Sequence, residues 1–197
     1  MIENIFPIPI YSNTVGNIEE IQKEMGSCVE KLQYEMTDKH RMYCNDHSYS
    51  SDVISDHKLE HFYKELGVHI IKYGDALGFS TGKYSALSNW KIDSSWIVVY
   101  KKGNYCQAHS HGFVDMAGIY YINTNGDDGN LYFISPRDSG IPSLARAMEY
   151  QPEVGKIMMW PGWLHHGVEE NFTDNDRIAL SFNITFPRSA FLEPIPE

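Results

Sequence analysis

The spacing of apolar residues changes near Leu87, and this change constrains the fold more than any other feature of the 197-residue chain. Before it, apolar residues recur at helical spacing over 18–32 and 59–71. After it, short alternating runs are separated by turn sequences such as NGDDGN and TDND. Many short strands with frequent turns are typical of sandwiches and barrels, so the sequence predicts helices followed by a layered or closed sheet.

The predicted elements follow this division. In the first part we expect an edge strand or extended arm at Phe6–Tyr11, a helix capped by Asn17, a loop over Asp38–Ser55 and a second helix capped by Ser55 or Asp56. The second part is predicted to contain these strands: Asn89–Asp93, Trp96–Lys101, Cys106–His109, Met116–Asn123, Asn130–Ile134, Met148–Gln151, Lys156–Trp160, His165–Glu169 and Ile178–Phe186.

Length and composition limit the partners and the compartment. The chain is predicted to form one domain over 1–197, helical at about 1–86 and sheet-based at about 87–188. A net charge of −10 argues against nucleic acid and acidic membrane surfaces as partners. Cys28, Cys44 and Cys106 form no CxxC pair and the first residues lack a signal-peptide pattern, so we expect a cytoplasmic protein.

Three histidines and an arginine indicate a metal centre beside an anion site. His109 and His111 are two residues apart in a segment with extended character, so their side chains leave one face of a strand and can converge on one ion. A third histidine comes from the pair His165 and His166, after a second strand that starts with glycine. Arg177 follows in a strand of its own, and its planar guanidinium can grip a carboxylate with two hydrogen bonds.

The last strand alternates sharply between polar and apolar residues. Arg177, Ala179, Ser181 and Asn183 share one face, and the apolar residues between them share the other. The polar face meets bulk solvent if the sheet has one wet side, whereas it lines a ligand-holding barrel if helices cover the apolar face. In the first case Arg177 is a surface charge paired with an aspartate of the TDND turn.

The segment YKKGNYCQAHSH resembles the Y-x-x-G-x-x-x-x-x-H-x-D signature of prolyl-4-hydroxylase-like iron(II)/2-oxoglutarate dioxygenases, with Tyr100, Gly103 and His109 at matching positions. The segments FPIPIY, GIYYI, VGKIMMWPGWLxH and RIALSFN are similar to a branch of 2-oxoglutarate oxygenases from bacteria and phages. The resemblance is strong over about 96–186. It implies a mainly β fold with N-terminal helices, a double-stranded β-helix (jelly roll, cupin-like barrel) backed by helices. It also implies Fe(II), 2-oxoglutarate and O2, and hydroxylation of a substrate with release of succinate and CO2.

The resemblance also assigns roles to individual residues. His109 is implied as the first metal ligand and His166 as the distal one. Arg177, eleven residues after His166, is implied as the group that binds the far carboxylate of 2-oxoglutarate. Tyr121 matches a strand tyrosine whose hydroxyl can bind the same carboxylate, and Tyr100 is assigned to the cosubstrate site with it.

Two positions depart from the family pattern. Where most relatives carry an acidic residue this chain has His111, which leaves three arrangements open: a three-histidine centre, a triad completed by Asp115, or His111 as a contact to ligand or substrate with water at the third site. The spacing favours His111, since it stands where the carboxylate would be. Ala179 replaces a serine found in many relatives, and Ser181 on the same face can substitute for it. His165 is expected to point away from the metal, because neighbouring strand residues face opposite sides.

Other functions remain open. A cupin-type metal-binding protein or dioxygenase that does not use 2-oxoglutarate fits the sequence, because 103–115 and 155–166 nearly keep the two cupin signatures. A non-enzymatic jelly-roll binding protein also fits, since nine histidines make one H-x-H pair unremarkable. Arg177 and the helical first part favour the oxygenase.

The sequence does not select a substrate. The loops Arg41–Ser55 and Arg137–Ala147 are expected at the barrel mouth, and the substrate is expected to be a peptide side chain or a metabolite. A homodimer is compatible with the sequence.

Overall fold

The computed structural model describes residues 7–37, 41–44, 51–77, 89–136 and 147–186. The helices in these ranges are α1 Ile18–Val29, α2 Val53–Asp56 and α3 Glu60–Ala76. The strands are β1 Tyr11–Thr14, β2 Glu35–Met36, β3 Tyr43–Cys44, β4 Lys91–Tyr100, β5 Cys106–His109, β6 Met116–Asn123, β7 Leu131–Ile134, β8 Ala147–Tyr150, β9 Lys156–Pro161, β10 His166–Val168 and β11 Arg177–Thr185. Across these ranges, no helix combines the length and apolar character that crossing a membrane requires.

The strands form two antiparallel sheets that enclose a core. The larger sheet has the order β1-β9-β6-β11-β4-β3-β2, and the smaller has the order β5-β10-β7-β8. Tyr121 and Trp160 of the larger sheet pack with Phe133 and Val168 of the smaller one in a buried cluster. Two facing sheets with non-sequential strand order are the arrangement expected for a jelly roll.

Helices α1 and α3 cover the outer face of the larger sheet. Met25 of α1 and Phe62 of α3 are fully buried in a second cluster that includes Leu180 and Phe182 of β11. Ala179, next to Leu180, belongs instead to the cluster between the sheets, as the two-residue period of a strand requires. The apolar face of β11 therefore lies under the helices, and its polar face lines the inside of the barrel.

One long strand replaces two of the predicted ones. Asn89–Asp93 and Trp96–Lys101 are predicted as separate strands, but Lys91–Tyr100 forms the single strand β4. Its neighbour β11 pairs with it over the whole length, with an irregularity between Asn183 and Ile184 that leaves one extra residue on β4. Pairing with a long neighbouring strand thus overrides the polar interruption in the local sequence.

The predicted loop Asp38–Ser55 is more structured than expected. It contains β3 and the start of α2, although 38–40 and 45–50 lie outside the described residues. Asp52 caps α2 through a hydrogen bond from the backbone N–H of Ser55, and the long helix α3 begins only at Glu60. The predicted cap at Ser55 or Asp56 is therefore wrong. Most of the second predicted mouth loop, 137–146, also lies outside the described residues.

The N-terminal arm joins the sheet only at its end. Of the predicted range Phe6–Tyr11, Phe6 lies outside the described residues, 7–10 are not in a strand, and β1 begins at Tyr11, where it pairs with β9. Pro7 and Pro9 have no N–H to donate to a sheet, which accounts for the later start. The Tyr11 hydroxyl lies 2.6 Å from Nδ1 of the buried His69, so the arm is tied to α3 as well as to the sheet.

Candidate metal centre and cosubstrate pocket

Three histidines come together at the smaller sheet. His109 ends β5 and lies directly opposite His166 at the start of β10. His111 lies in the turn after β5, and its backbone N–H donates to the carbonyl of Gly162 at 2.9 Å. One nitrogen from each of the three rings lies within 4.8 Å of the others. The structure thus brings together the three histidines that the sequence proposes as ligands, in a group that could hold one metal ion.

Backbone carbonyls orient two of the imidazole rings. Nδ1 of His109 lies 2.8 Å from the carbonyl oxygen of Gln107, and Nδ1 of His166 lies 2.9 Å from that of Leu164. A ring that donates Nδ1–H to a carbonyl carries the lone pair on Nε2, where a metal can bind. Each ring therefore has a carbonyl acceptor for the tautomer that a metal ligand needs.

His166 has a second polar neighbour at the same nitrogen. Nε1 of Trp160 lies 3.1 Å from Nδ1, and that nitrogen cannot accept from the indole and donate to Leu164 at once. Only donation to the carbonyl leaves Nε2 able to bind a metal, so metal binding selects that arrangement. Burial lowers the pKa of His166 well below its ordinary value, and the nearby His111 and His109 lower it further. The ring is consequently neutral, as a metal ligand must be.

The third ring is oriented by a side chain. Nδ1 of His111 lies 2.5 Å from Oδ1 of Asn183 on β11, and the ring stacks against Trp96 with centroids 5.9 Å apart. The alternation of the last strand predicts which face Asn183 occupies, but not this role, because the contact joins residues 72 positions apart.

Asp115 and His165 both lie outside the histidine group. One carboxylate oxygen of Asp115 accepts a hydrogen bond from the backbone N–H of Phe186 at 2.7 Å. This contact holds the carboxylate at the end of β11 rather than with the three rings. His165 is exposed, and its carbonyl accepts a hydrogen bond from Ile134.

Arg177 is a fully buried cation. Its Nη1 donates to the carbonyl of Gly129, and its guanidinium carbon lies 4.4 Å from the ring centroid of Tyr100. Its Nε and Nη2 atoms are buried without a hydrogen-bond partner among the described residues. The alternative that Arg177 is a surface charge is wrong, and Asp174 of the TDND turn pairs with Lys102 instead, at 2.9 Å.

Two tyrosines complete the surroundings of the guanidinium. Tyr121 lies with its ring centroid 5.7 Å from the Arg177 guanidinium carbon, and its buried hydroxyl also lacks a partner among the described residues. Burial raises the pKa of Tyr121 to about 12, although Arg177 acts in the opposite direction. Burial likewise raises the pKa of Tyr100 well above its ordinary value. Both hydroxyls are therefore protonated donors at neutral pH.

The unpartnered donors fit a carboxylate. A buried cation without an anion is unfavourable, and so is each buried N–H or O–H that lacks an acceptor. A carboxylate that accepted hydrogen bonds from Arg177 and Tyr121 would satisfy both requirements at once. The residues present therefore suit a cosubstrate with an acidic end.

The anion site and the histidine group share one strand face. Arg177, Ala179, Ser181 and Asn183 alternate along β11 toward the barrel interior, and Asn183 contacts His111. Ser181 is half-buried between the two sites, while Ala179 is fully buried. The arginine and the residue that contacts His111 consequently stand on one face of a single strand.

Comparisons with known proteins agree with this arrangement. Residues 94–183 match the model of a family described as "Putative 2OG-Fe(II) oxygenase". This range includes His109, His111, His166 and Arg177. No curated protein is similar to this chain in sequence.

Solved structures show the same fold at low sequence identity. A prolyl-4-hydroxylase from Pseudomonas putida has a TM-score of 0.59 at 10% identity, over 90% of this chain and 92% of that one. HygX from Streptomyces hygroscopicus, with nickel, 2-oxoglutarate and hygromycin B bound, has a TM-score of 0.62 at 10% identity, over 90% and 83%. The epimerase SnoN, in complex with Fe3+, alpha ketoglutarate and nogalamycin RO, has a TM-score of 0.61 at 12% identity, over 96% and 86%. These likenesses confirm the predicted double-stranded β-helix.

The fold and the family match point to one class of protein, the jelly-roll oxygenases described as 2OG-Fe(II) enzymes. Residues 94–183 are similar to the 2OG-Fe(II) oxygenase family, and the rest of the chain lies outside that match. The cofactors of this class are Fe(II), 2-oxoglutarate and O2. The three-histidine group and the buried arginine suit the first two of them.

Proposed function

We propose that this protein hydroxylates an organic substrate with Fe(II), 2-oxoglutarate and O2, and releases succinate and CO2. The observation that carries the proposal is the buried Arg177, whose unpartnered N–H groups lie on the same strand face that reaches the histidine group. A metal site alone is compatible with many enzymes. A metal site joined to a buried carboxylate site is what 2-oxoglutarate requires, because the molecule has a chelating end and an acidic end.

His109, His111 and His166 are the proposed ligands in this mechanism. Each offers a neutral imidazole nitrogen, and three ligands leave coordination positions for the other reactants. Iron held there supplies the O2 activation and the oxidising power that hydroxylation needs.

Arg177 and Tyr121 are the proposed carboxylate donors. The guanidinium can offer two parallel N–H groups to the far carboxylate, and the Tyr121 hydroxyl can offer a third hydrogen bond. The ring of Tyr100 packs over the guanidinium at 4.4 Å and restricts its movement. Ser181 can contact the middle of the molecule, whereas Ala179 offers no hydrogen bond. Closed inside the core, these residues also keep water away from the cosubstrate.

A second candidate function is a metal dioxygenase of cupin type that does not use 2-oxoglutarate. The observation in its favour is that, in the described part of the chain, the metal-binding group contains three histidines and no carboxylate. Such an enzyme would use Arg177 to hold an acidic substrate rather than a cosubstrate.

We propose a peptide side chain as the first substrate class to test and a small metabolite as the second. The support is the likeness to a prolyl-4-hydroxylase, which concerns the fold alone. We also propose a cytoplasmic location, since Cys28, Cys44 and Cys106 are buried and form no disulfide. Size-exclusion chromatography with light scattering would test the homodimer that the sequence allows.

The decisive experiment separates these functions by ligand. Protein loaded with Fe(II) without oxygen is titrated with 2-oxoglutarate by calorimetry, and succinate is then measured after oxygen is admitted. We expect binding that requires the metal, and slow succinate formation even without a substrate. Iron binding without 2-oxoglutarate binding would favour the cupin-type enzyme, and failure to bind iron would favour a non-enzymatic protein. A mass-spectrometric search for products that gain one oxygen atom then identifies the substrate.

A further inference from the structure

We infer that Asn183 is a positioning residue that holds His111 in the metal-binding orientation, with Ser94 holding Asn183 in turn. This inference rests on the proposed function, because it concerns His111 as the third ligand. It goes further because it names the side chain that supports this ligand, the neutral amide of Asn183 on the larger sheet.

The three residues form a chain of hydrogen bonds that runs from the half-buried His111 into the core. Asn183 on β11 and Ser94 on β4 are cross-strand partners, and they are 4% and 1% exposed. Nδ2 of Asn183 donates to Oγ of Ser94 at 3.0 Å, and Oδ1 of Asn183 lies 2.5 Å from Nδ1 of His111. Both ends of the amide are thus engaged within the protein interior, where a misplaced polar group is costly.

His111 depends on this support in a way that the other ligands do not. His109 and His166 have backbone carbonyls two residues earlier as acceptors, and a backbone carbonyl is present whatever the side chains are. His111 lies in a turn that continues through Gly112 at a φ of +64°, and its acceptor is a side chain. A substitution at Asn183 can therefore remove the acceptor, which is impossible for the other two rings.

The amide orientation and the histidine tautomer are coupled. With Oδ1 toward His111, the ring proton lies on Nδ1 and the lone pair on Nε2 faces the metal. With the amide reversed, Nδ2 would donate to Nδ1 and the proton would move to Nε2, which would exclude the metal. The Ser94 hydroxyl can accept from Nδ2 or donate to Oδ1, so it is compatible with both amide orientations. Only the orientation with Oδ1 toward His111 would leave Nε2 of His111 able to bind a metal. An acceptor at position 183 is what the third ligand requires.

Two further features fix the geometry. The irregularity in the pairing of β4 with β11 falls between Asn183 and Ile184, and bulges commonly redirect a side chain next to a functional site. Trp96, two residues after Ser94 on the same face, stacks on the His111 ring with an interplanar angle of 27°. The ring is thus held by a hydrogen bond at one edge and by an indole on one face.

The test compares Asn183→Leu, Asn183→Asp and Ser94→Ala with wild type by calorimetric Co(II) titration and by the visible absorption of the bound Co(II). Leucine removes the acceptor, and we expect Co(II) affinity to fall by about 10- to 100-fold, as is usual when a ligand loses its supporting hydrogen bond. Aspartate keeps an acceptor of nearly the same shape, so it should retain wild-type affinity or exceed it. Ser94→Ala should fall between wild type and Asn183→Leu. Asn13→Leu, an equivalent change on the exposed strand β1, should bind Co(II) normally.

The outcomes distinguish the inference from the proposed function. If His111→Ala weakens Co(II) binding but Asn183→Leu does not, the positioning role is wrong and the ligand set stands. If His111→Ala binds Co(II) as tightly as wild type, the proposed ligand set itself is wrong. Should Asn183→Leu fail to fold, Asn183→Asp decides, because weak binding by this variant would show that the acceptor is not what matters.

Discussion

Replacement of Arg177 by methionine should change two measured quantities in opposite directions. Methionine has nearly the length of the arginine stem but carries no charge and no donors. The variant should bind 2-oxoglutarate much more weakly than wild type. Without ligand, however, it should be as stable as wild type or more stable.

The loss of affinity follows from the hydrogen bonds that a carboxylate would make. Nε and Nη2 of Arg177 are the two N–H groups that lack partners among the described residues. A hydrogen bond to a charged group contributes about 1.5–3 kcal/mol, so the loss of one weakens binding by about 10- to 150-fold. When both hydrogen bonds are lost, 2-oxoglutarate binding should weaken by more than 10-fold.

The effect on the unliganded protein has the opposite sign. Arg177 is fully buried, and Nη1 donates to the Gly129 carbonyl while the other donors remain unsatisfied. An ion removed from water without a counterion destabilises the folded state, and an apolar replacement of similar volume is often neutral or stabilising. The contacts with Tyr100 limit this gain, because methionine keeps the packing but loses the cation–π attraction.

Thermal unfolding of the anaerobic Fe(II) protein measures both effects. At a 2-oxoglutarate concentration of about 100 times the wild-type Kd, ligand binding stabilises wild type by about 2.7 kcal/mol, which raises the Tm by roughly 5–10 °C. If Arg177→Met binds about 100-fold more weakly, the same concentration stabilises it by only about 0.4 kcal/mol, or roughly 1–2 °C.

Lys102→Met is the matched control, because Lys102 is an exposed cation paired with Asp174 outside the core. This variant should show the wild-type response to 2-oxoglutarate. A full ligand-induced shift in Arg177→Met would refute the carboxylate site. Strong destabilisation of unliganded Arg177→Met would instead show that the cation already has a stabilising partner in the folded protein.

Further predictions concern the distal ligand, the core and the pH dependence of stability. His166→Ala should abolish Fe(II) binding measured by metal analysis, whereas His165→Ala should retain it, since His165 is exposed and outside the ligand group. Gly118→Ala should lower the free energy of unfolding by about 1–3 kcal/mol in urea, because a Cβ there would overlap the Phe182 ring. Burial lowers the pKa of His69 below its ordinary 6.5, so below pH 6.5 this residue is protonated in the unfolded state before it is protonated in the folded state. As the pH falls below 6.5, the free energy of unfolding of the metal-free protein should therefore decrease by up to about 1.4 kcal/mol per pH unit through this residue. In urea unfolding measured at several pH values, His69→Gln should show a smaller decrease.

The sequence predicts those parts of the structure that depend on local patterns. Helix α1 starts directly after Asn17 as predicted, although the Asn17 side chain makes no cap hydrogen bond and the helix ends at Val29 rather than near Leu32. Strands β5 and β6 have the predicted bounds, because each has a clear apolar period and a defined turn. His109 and His111 also converge as their spacing predicts, although only His109 lies in a strand and His111 follows the end of β5.

The features that the sequence does not predict depend on contacts between segments that are distant along the chain. The continuity of β4 through Ser94 is set by its pairing with β11, and the local sequence suggests a break there. The position of Asp115 cannot be read from its spacing after His111, because its carboxylate is held by the Phe186 N–H, 71 positions away. The role of Asn183 likewise needs the register of two sheets. Local spacing determines which residues can face the site, and the register determines which of them touch.

The charge inside the barrel connects the unusual ligand set to the cosubstrate. A ligand group with a carboxylate would offset part of the charge of a divalent ion, whereas three neutral imidazoles offset none of it. Arg177 adds a second positive group on the same face of β11 and forms no ion pair among the described residues, although the buried carboxylate of Asp128 acts on the neighbouring Tyr121. A bound metal and Arg177 would thus bring two positive groups into the interior of a chain whose net charge is −10. With the proposed ligand set, 2-oxoglutarate would neutralise both positive groups at once, because it has a carboxylate at each end.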